Sequence, residues 1–172
     1  LKKLETEERN ATWQEQEILS KYVGWGGIPE AFDEKRAQWA NEYQELKETL
    51  TEEEYIAARA STLNAHFTSP AIIRGIYAAL ERMGFQGGNI LEPAMGVGNF
   101  FGMLPTTLLG SRLYGIELDS ISGRIAQKLY PMANITVAGF ETTNQRDFYD
   151  VAVGNVPFGN YKVNDRAYNR LG

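Results

Sequence analysis

The sequence predicts an α/β fold: a mostly parallel sheet with helices on both faces, in three layers, preceded by a helical segment. Two observations predict it. From residue 69 onward, short apolar runs alternate with helical patterns, as strand–helix–strand units do. Up to about residue 62 the patterns are helical only. The domain organisation that follows is a helical segment over 1–62 and a partial α/β domain over 63–172.

Taken in order, Phe32, Trp39, Tyr43, Leu46 and Leu50 recur at steps of seven, four, three and four, which predicts one helix face. Upstream of them, YVGWGGIPE marks a break with its glycines and proline. Trp13, Trp25 and Trp39 are expected to pack against the main domain, with base stacking as the alternative. Thr51-x-x-Glu54 reads as a capping box that opens a further helix. Ser69 followed by Pro70 is an N-cap with the residue best suited to the first helical position. Ile72, Ile73, Ile76, Tyr77, Leu80 and Met83 form the apolar face of that helix, and Gly84 ends it. The predicted strands are NILEP (89–93), RLYGIEL (112–118), ITVAGF (135–140) and YDVAVGNVPF (149–158). Helical stretches are expected near 99–104 and over 119–130, the latter stopped by Pro131.

Composition narrows the function classes. The 172 residues are 43% hydrophobic and 23% charged, suited to one ordinary domain with a small appendage and too apolar for disorder. No apolar stretch approaches the roughly 18 residues of a membrane helix, so no membrane partner is expected. Without cysteine, disulfides and thiolate sites are excluded, and a single His66 makes a histidine-based zinc site a poor prospect. No metal is expected, and a reducing, cytoplasmic setting suits the chain. Residues 1–60 carry 14 acidic and 8 basic side chains, so this part should repel nucleic acid; residues 61–172 carry 8 and 9. The chain begins at Leu1 rather than Met and is expected to be part of a longer polypeptide.

Three motifs stand at predicted strand ends, where ligands bind in such sheets. LEPAMGVGNFFG (91–102) offers Gly96 and Gly98 for a tight turn and close approach of a ligand. Phe101 occupies the place of a dinucleotide enzyme's third glycine, and Glu92 beside the loop disfavours pyrophosphate but suits an ammonium or sulfonium charge. Glu117, in YGIELDS, can accept both hydroxyls of a ribose, whereas Asp119 is expected to cap the next helix. In GNVPFG (154–159), the Asn155 side-chain oxygen and the Val156 carbonyl can both accept from one NH₂ group. Phe158 offers a face for a flat heterocycle.

With AHFTSP (65–70), these motifs resemble the amino-group DNA methyltransferases that use S-adenosylmethionine (SAM), in the motif order of the adenine-specific enzymes. From KYVGWGGIPEAFD to its end, the chain resembles more closely the methylase portion of large methylase–helicase proteins of bacterial conjugative elements. The resemblance implies a Rossmann-like SAM-dependent methyltransferase fold. It places Phe67, Thr68 and Pro70 over the methionine end of SAM, and Glu92, Pro93, Ala94, Gly96 and Gly98 beneath the cofactor. Glu117 becomes the ribose-binding acid, and Asn155, Val156, Pro157 and Phe158 match the catalytic Asn-Pro-Pro-Tyr/Phe tetrapeptide, with Val156 replacing its first proline. Where the family has an acid after the third strand for the adenine ring of SAM, Phe140 stands here, with Glu141 one position on.

The expected activity is methylation of the exocyclic amine of adenine in DNA, the base being flipped from the duplex. The alternatives are methylation of protein glutamine amides, where the same tetrapeptide occurs, and an inactive SAM-fold scaffold. The expected partners are DNA and the rest of a larger polypeptide that includes a helicase part. The open edge of the last strand is expected to favour weak activity of this piece alone and pairing into a homodimer. His66 is read as structural, and Lys162, Arg166 and Arg170 either as a solvated face or as phosphate contacts.

Overall fold

The computed structural model describes residues 1–62 and 68–156. Its centre is a parallel four-stranded sheet of β1 (Asn89–Glu92), β2 (Arg112–Glu117), β3 (Asn134–Val137) and β4 (Val151–Ala152), in the order β3-β2-β1-β4. This is the strand order of a doubly wound, Rossmann-like sheet. The chain moves outward from β1 to β3, then returns to the other side of β1, which places the topological switch point between β1 and β4. The α/β class read from the alternation is the class observed.

The amino-terminal helices are α1 (Lys2–Thr6), α2 (Trp13–Leu19), α3 (Ala40–Thr49) and α4 (Glu52–Ser61). They are followed by α5 (Pro70–Arg82), α6 (Asn99–Gly102) and α7 (Ser120–Leu129). Their starts obey local rules. The Ser69 hydroxyl accepts from the Ile72 amide with Pro70 in the first turn, the Thr51–Glu54 capping box is complete, and the Asp119 carboxylate caps α7 through the Ile121 and Ser122 amides. A second complete box, Thr12–Glu15, opens α2. Left-handed Gly84, with φ of 89°, follows α5.

Leu113 joins two apolar clusters, one holding Ile73 and Tyr77 of α5 with Ile90 and Phe100, the other holding Phe101 of α6 and Ala126 of α7. Helices α5 to α7 therefore cover the one sheet face that Ile90 and Leu113 point to, where the sequence predicts helices on both. Alternation puts Tyr114 on the opposite face, where Phe148 and Tyr149 pack edge-on against it at 5.1 and 5.5 Å. A third cluster joins the amino-terminal helices (Leu4, Leu19, Phe32, Leu46, Tyr55, Ala58) to Ile121 and Ile125 of α7 and to Val97. Polar contacts close the same seam: Gln16 donates to the Lys128 carbonyl at 3.3 Å and Lys128 to the Arg9 carbonyl at 2.9 Å.

The structure corrects several expectations. Residues 32–50 are not one helix: Phe32 and Trp39 lie in short 3₁₀ turns (Pro29–Phe32 and Ala37–Trp39), α3 starts at Ala40, and Leu50 has left it. The cause is Asp33, whose carboxylate accepts the Lys35 amide at 3.0 Å and turns the chain. All five apolar residues still reach one cluster. Trp25 and Trp39 pack as expected, but Trp13 is 72% exposed in the first turn of α2. The α5 stripe is narrower than its sequence suggests, because Ile72 and Met83 face outward. Strand β4 is only Val151–Ala152, and β3 stops at Val137 before a 3₁₀ turn at Phe140–Thr142. Among the described residues no helix is long and apolar enough to cross a membrane.

Candidate functional site

Strand register brings two carboxylates to the carboxyl edge of the sheet. Glu92 ends β1 opposite Gly115, so Glu117 projects two residues further along β2. The chain after Glu92 doubles back over β2: the Met95 amide donates to the Ile116 carbonyl at 3.1 Å, and the Gly96 amide donates to Glu117 Oε2 at 2.6 Å. The turn needs left-handed backbone at Gly96 (φ 57°) and Gly98 (φ 85°). At Gly98 a side chain is also excluded by packing. A Cβ there would come within 2.6 Å of the Tyr130 ring, whose hydroxyl donates to the Gly98 carbonyl at 2.8 Å.

Glu117 is positioned at both oxygens. Oε2 takes the Gly96 amide, and Oε1 takes the Asp119 amide at 2.7 Å. Burial raises its pKa and the charge of Asp119 adds to this; the backbone donors at Asp119 and Gly96 oppose them without cancelling them. A carboxylate has about four lone-pair positions, so two amides leave acceptor capacity for hydroxyl donors of a ligand. Asp119 serves the cap of α7, as the sequence suggests.

Glu92 is 2% exposed, and its Oε2 finds no hydrogen-bond partner among the described residues. Burial first, and the nearby Glu117 second, hold this carboxyl well above the usual carboxylate range, with the Phe100 amide opposing them. Tyr77 and Tyr130 stand near enough that, after burial, the Glu92 charge pushes their hydroxyls up as well, that of Tyr130 to about 12. Neither tyrosine is legible as a site residue from sequence: Tyr77 reads as one more member of the α5 stripe, and Tyr130 as the aromatic that closes its helical stretch before Pro131.

At β4, Val153 donates to the Leu91 carbonyl at 2.8 Å, and a Cβ on Gly154 would lie 3.4 Å from Pro93 Cδ and 3.7 Å from Glu92 Cγ. The GNVPFG motif thus starts directly beside Glu92 and Pro93, across the switch point. Asn155 and Val156 are exposed there. Pro157, Phe158, His66, Phe67, Lys162, Arg166 and Arg170 lie outside the described residues. Thr68, half-buried, and Pro70, exposed, flank the cap of α5; Pro93 and Ala94 are half-buried in the loop. Glu141 sits on the 3₁₀ turn after β3 with its carboxylate folded against Gly139. Among the described residues, no hydrogen bond or ion pair joins Thr68, Pro70 or Glu141 to the Glu92–Glu117 pair.

The arrangement suits a ligand that carries positive charge near Glu92 and hydroxyl donors near Glu117. Both carboxyls accept hydrogen bonds, and the orphaned Glu92 oxygen lacks the compensation that buried charge needs.

No family model matches the chain. It is 34% identical over 101 residues to the Defense against restriction protein B of Escherichia phage P1, a match that covers 57% of this chain and 4% of that protein. It is 33% identical over 93 residues to the Type II methyltransferase M.CvrRI of Paramecium bursaria Chlorella virus XZ-6E, covering 54% of this chain and 24% of that one. The chain therefore spans a small part of these relatives. A solved structure from Listeria monocytogenes, described as a class I S-adenosylmethionine-dependent methyltransferase, aligns over 74% of this chain and 46% of its own at 18% identity, with a TM-score of 0.47.

Proposed function

We propose that the chain is the cofactor-binding part of a SAM-dependent methyltransferase that acts on the exocyclic amine of adenine in DNA. The observation that carries the reading is the pairing of Glu117, fixed at the β2 tip by two backbone amides, with the orphaned Glu92 carboxyl beside the GNVPFG motif. Similarity to a type II methyltransferase supports it. The residues present fit SAM: Glu117 offers acceptors for ribose hydroxyls, and the Glu92 carboxyl gains from a neighbouring cation. When bound, SAM supplies the electrophilic methyl group.

The chain's own residues hold and orient. Gly96 and Gly98 keep the loop in its left-handed turn, and Glu117 ties that loop to β2. Asn155 and the Val156 carbonyl accept the two hydrogens of the target amine, so that its lone pair faces the methyl group. Phe158 is the shelf for the flipped base. Thr68 and Pro70, with Phe67, close over the methionine end, and Glu141 meets the adenine ring of SAM. DNA and further parts of the longer polypeptide, a helicase part among them, are the partners of this reading.

In the full-length protein, wild type is expected to methylate adenine in plasmid DNA and to bind SAM in calorimetry. Asn155→Ala should lower methylation roughly 100-fold, the scale of a misplaced reactant, while SAM affinity stays within a few-fold. Wild type that binds no SAM, or methylates glutamine in a protein acceptor and not DNA, overturns the reading.

A further inference from the structure

The amino-terminal segment reaches the same strand tips. After α2 the chain runs through Lys21-Tyr-Val-Gly-Trp-Gly-Gly27 and turns at Gly24, whose φ is 64°. Its rings are held by a chain of ring contacts, edge-on from Tyr22 to Trp25 at 6.3 Å and from Trp25 to Phe32 at 5.4 Å, and tilted from Phe32 to Tyr55 at 5.3 Å. Tyr22 and Trp25 pack on the cluster that includes Val97, between the two loop glycines, and Ile121, four residues past Glu117.

The polar tips of these two rings are unusual. Tyr22 Oη and Trp25 Nε1 are both buried, and neither completes a well-formed hydrogen bond among the described residues, although the Trp25 N–H and Ser122 act as weak donors toward the phenol oxygen and partly offset the rise in its pKa. Buried tyrosine and tryptophan ordinarily find partners, because an unmade bond costs roughly 1–3 kcal/mol. Nearby carboxylates do not answer for them: neither Asp119 nor Glu117 accepts a hydrogen bond from either ring tip. Asp119 is engaged by the Ile121 and Ser122 amides, and Glu117 by the Gly96 and Asp119 amides. Yet both acids are close: after burial, the charge of Asp119 and then that of Glu117 push the Tyr22 hydroxyl further from ionising.

A nucleoside needs more than acids. Glu117 can receive its hydroxyl donors, but ring nitrogens and ether oxygens are acceptors that no carboxylate can satisfy. We propose that the loop Tyr22–Gly27 forms a wall of the SAM pocket, with Trp25 Nε1–H and Tyr22 Oη–H donating to acceptor atoms of the nucleoside end. The proposal rests on the cofactor reading above and deepens it, since it makes the helical segment part of the site.

The test uses the full-length protein and five forms: wild type, Tyr22→Phe, Trp25→Phe, Glu117→Ala, and Trp13→Phe as an exposed control. Each is titrated calorimetrically with SAM and with adenosine, and each is assayed for KM, kcat and thermal midpoint. Tyr22→Phe is expected to weaken SAM and adenosine alike, by about tenfold, the value of one hydrogen bond. It should raise KM for SAM with kcat at saturation unchanged, and should not lower the midpoint of the free protein, because it removes a buried unpaired hydroxyl. Trp25→Phe should show the same binding loss. Wild-type affinity in both Tyr22→Phe and Trp25→Phe, with Glu117→Ala impaired, overturns this inference and leaves the cofactor reading standing. A loss for SAM with none for adenosine also overturns it, by placing the contact at the other end. Wild type that binds neither ligand overturns both.

Discussion

Two glutamates are buried among the described residues, and their surroundings are opposite. Glu54, at the seam between the amino-terminal helices and α7, is 5% exposed; Glu92, at the tip of β1, is 2% exposed. Glu54 accepts the Thr51 amide at 2.9 Å and Arg124 Nη2 at 2.6 Å, and pairs with Lys2 Nζ at 3.1 Å. Burial alone would raise its pKa, but these partners outweigh burial and bring it down to about 2. Glu92 has one backbone donor, a neighbouring acid and an oxygen with no partner, and its pKa goes up. A carboxylate that holds two parts together is answered from within the chain. One left unanswered at a strand tip costs stability that a ligand can return.

The largest expected effect breaks the answered side. Arg124→Ala leaves Glu54 buried with a weaker set of donors and also removes the 3.3 Å pair with Glu5. We expect a loss of about 3 kcal/mol in urea unfolding, near the lower end for breaking a buried pair. The sign with pH follows from the depressed pKa. Stability from Glu54 is fully present above the ordinary glutamate value of about 4.3 and is lost as pH falls through about 2. Wild type and Arg124→Ala should therefore converge in acid, and a constant gap down to the lowest pH would count against the pairing.

Glu92→Gln comes next, with the opposite sign. A raised pKa means that the unfolded chain ionises before the folded one, so stability falls as pH rises above about 4.3 toward the folded value. The glutamine variant cannot ionise, so its stability should be flatter over that window and higher than wild type at pH 8 by about 1–2 kcal/mol. Its affinity for SAM should fall. A variant that is less stable at pH 8 and still binds SAM normally would make Glu92 another structural carboxylate and erase the contrast.

The residues of this contrast were unequally legible in the sequence. Glu92 and Glu117 could be placed because each ends an apolar run and is followed by turn or cap residues, and the structure puts both at strand tips. The caps at Ser69, Thr51 and Asp119 were legible for the same local reason. The spacing from Phe32 to Leu50 was misleading, since one Asx turn at Asp33 divides it while the packed positions survive. Contacts across long sequence separation had no local signal at all. Tyr22 beside Asp119, Tyr130 beneath Gly98 and Arg124 on Glu54 depend on how helices dock, which periodicity does not encode.

The smallest effect tests whether the surroundings of Glu92 are themselves rigid. Tyr77 donates to the Phe100 carbonyl at 2.9 Å, and the Phe100 amide is the one backbone donor acting on Glu92. Tyr77→Phe keeps the ring, which packs at 6.2 Å from Phe100, and removes only the hydroxyl. The expected loss is about 1 kcal/mol in thermal or urea unfolding, the value of one buried neutral hydrogen bond. Because the same peptide segment faces Glu92, the variant should not be additive with Glu92→Gln. Once residue 92 carries no charge, the exact seat of the Phe100 amide matters less, and the double variant should lose less than the sum. Additivity within about 0.3 kcal/mol would show that Tyr77 steadies α6 without bearing on the carboxyl.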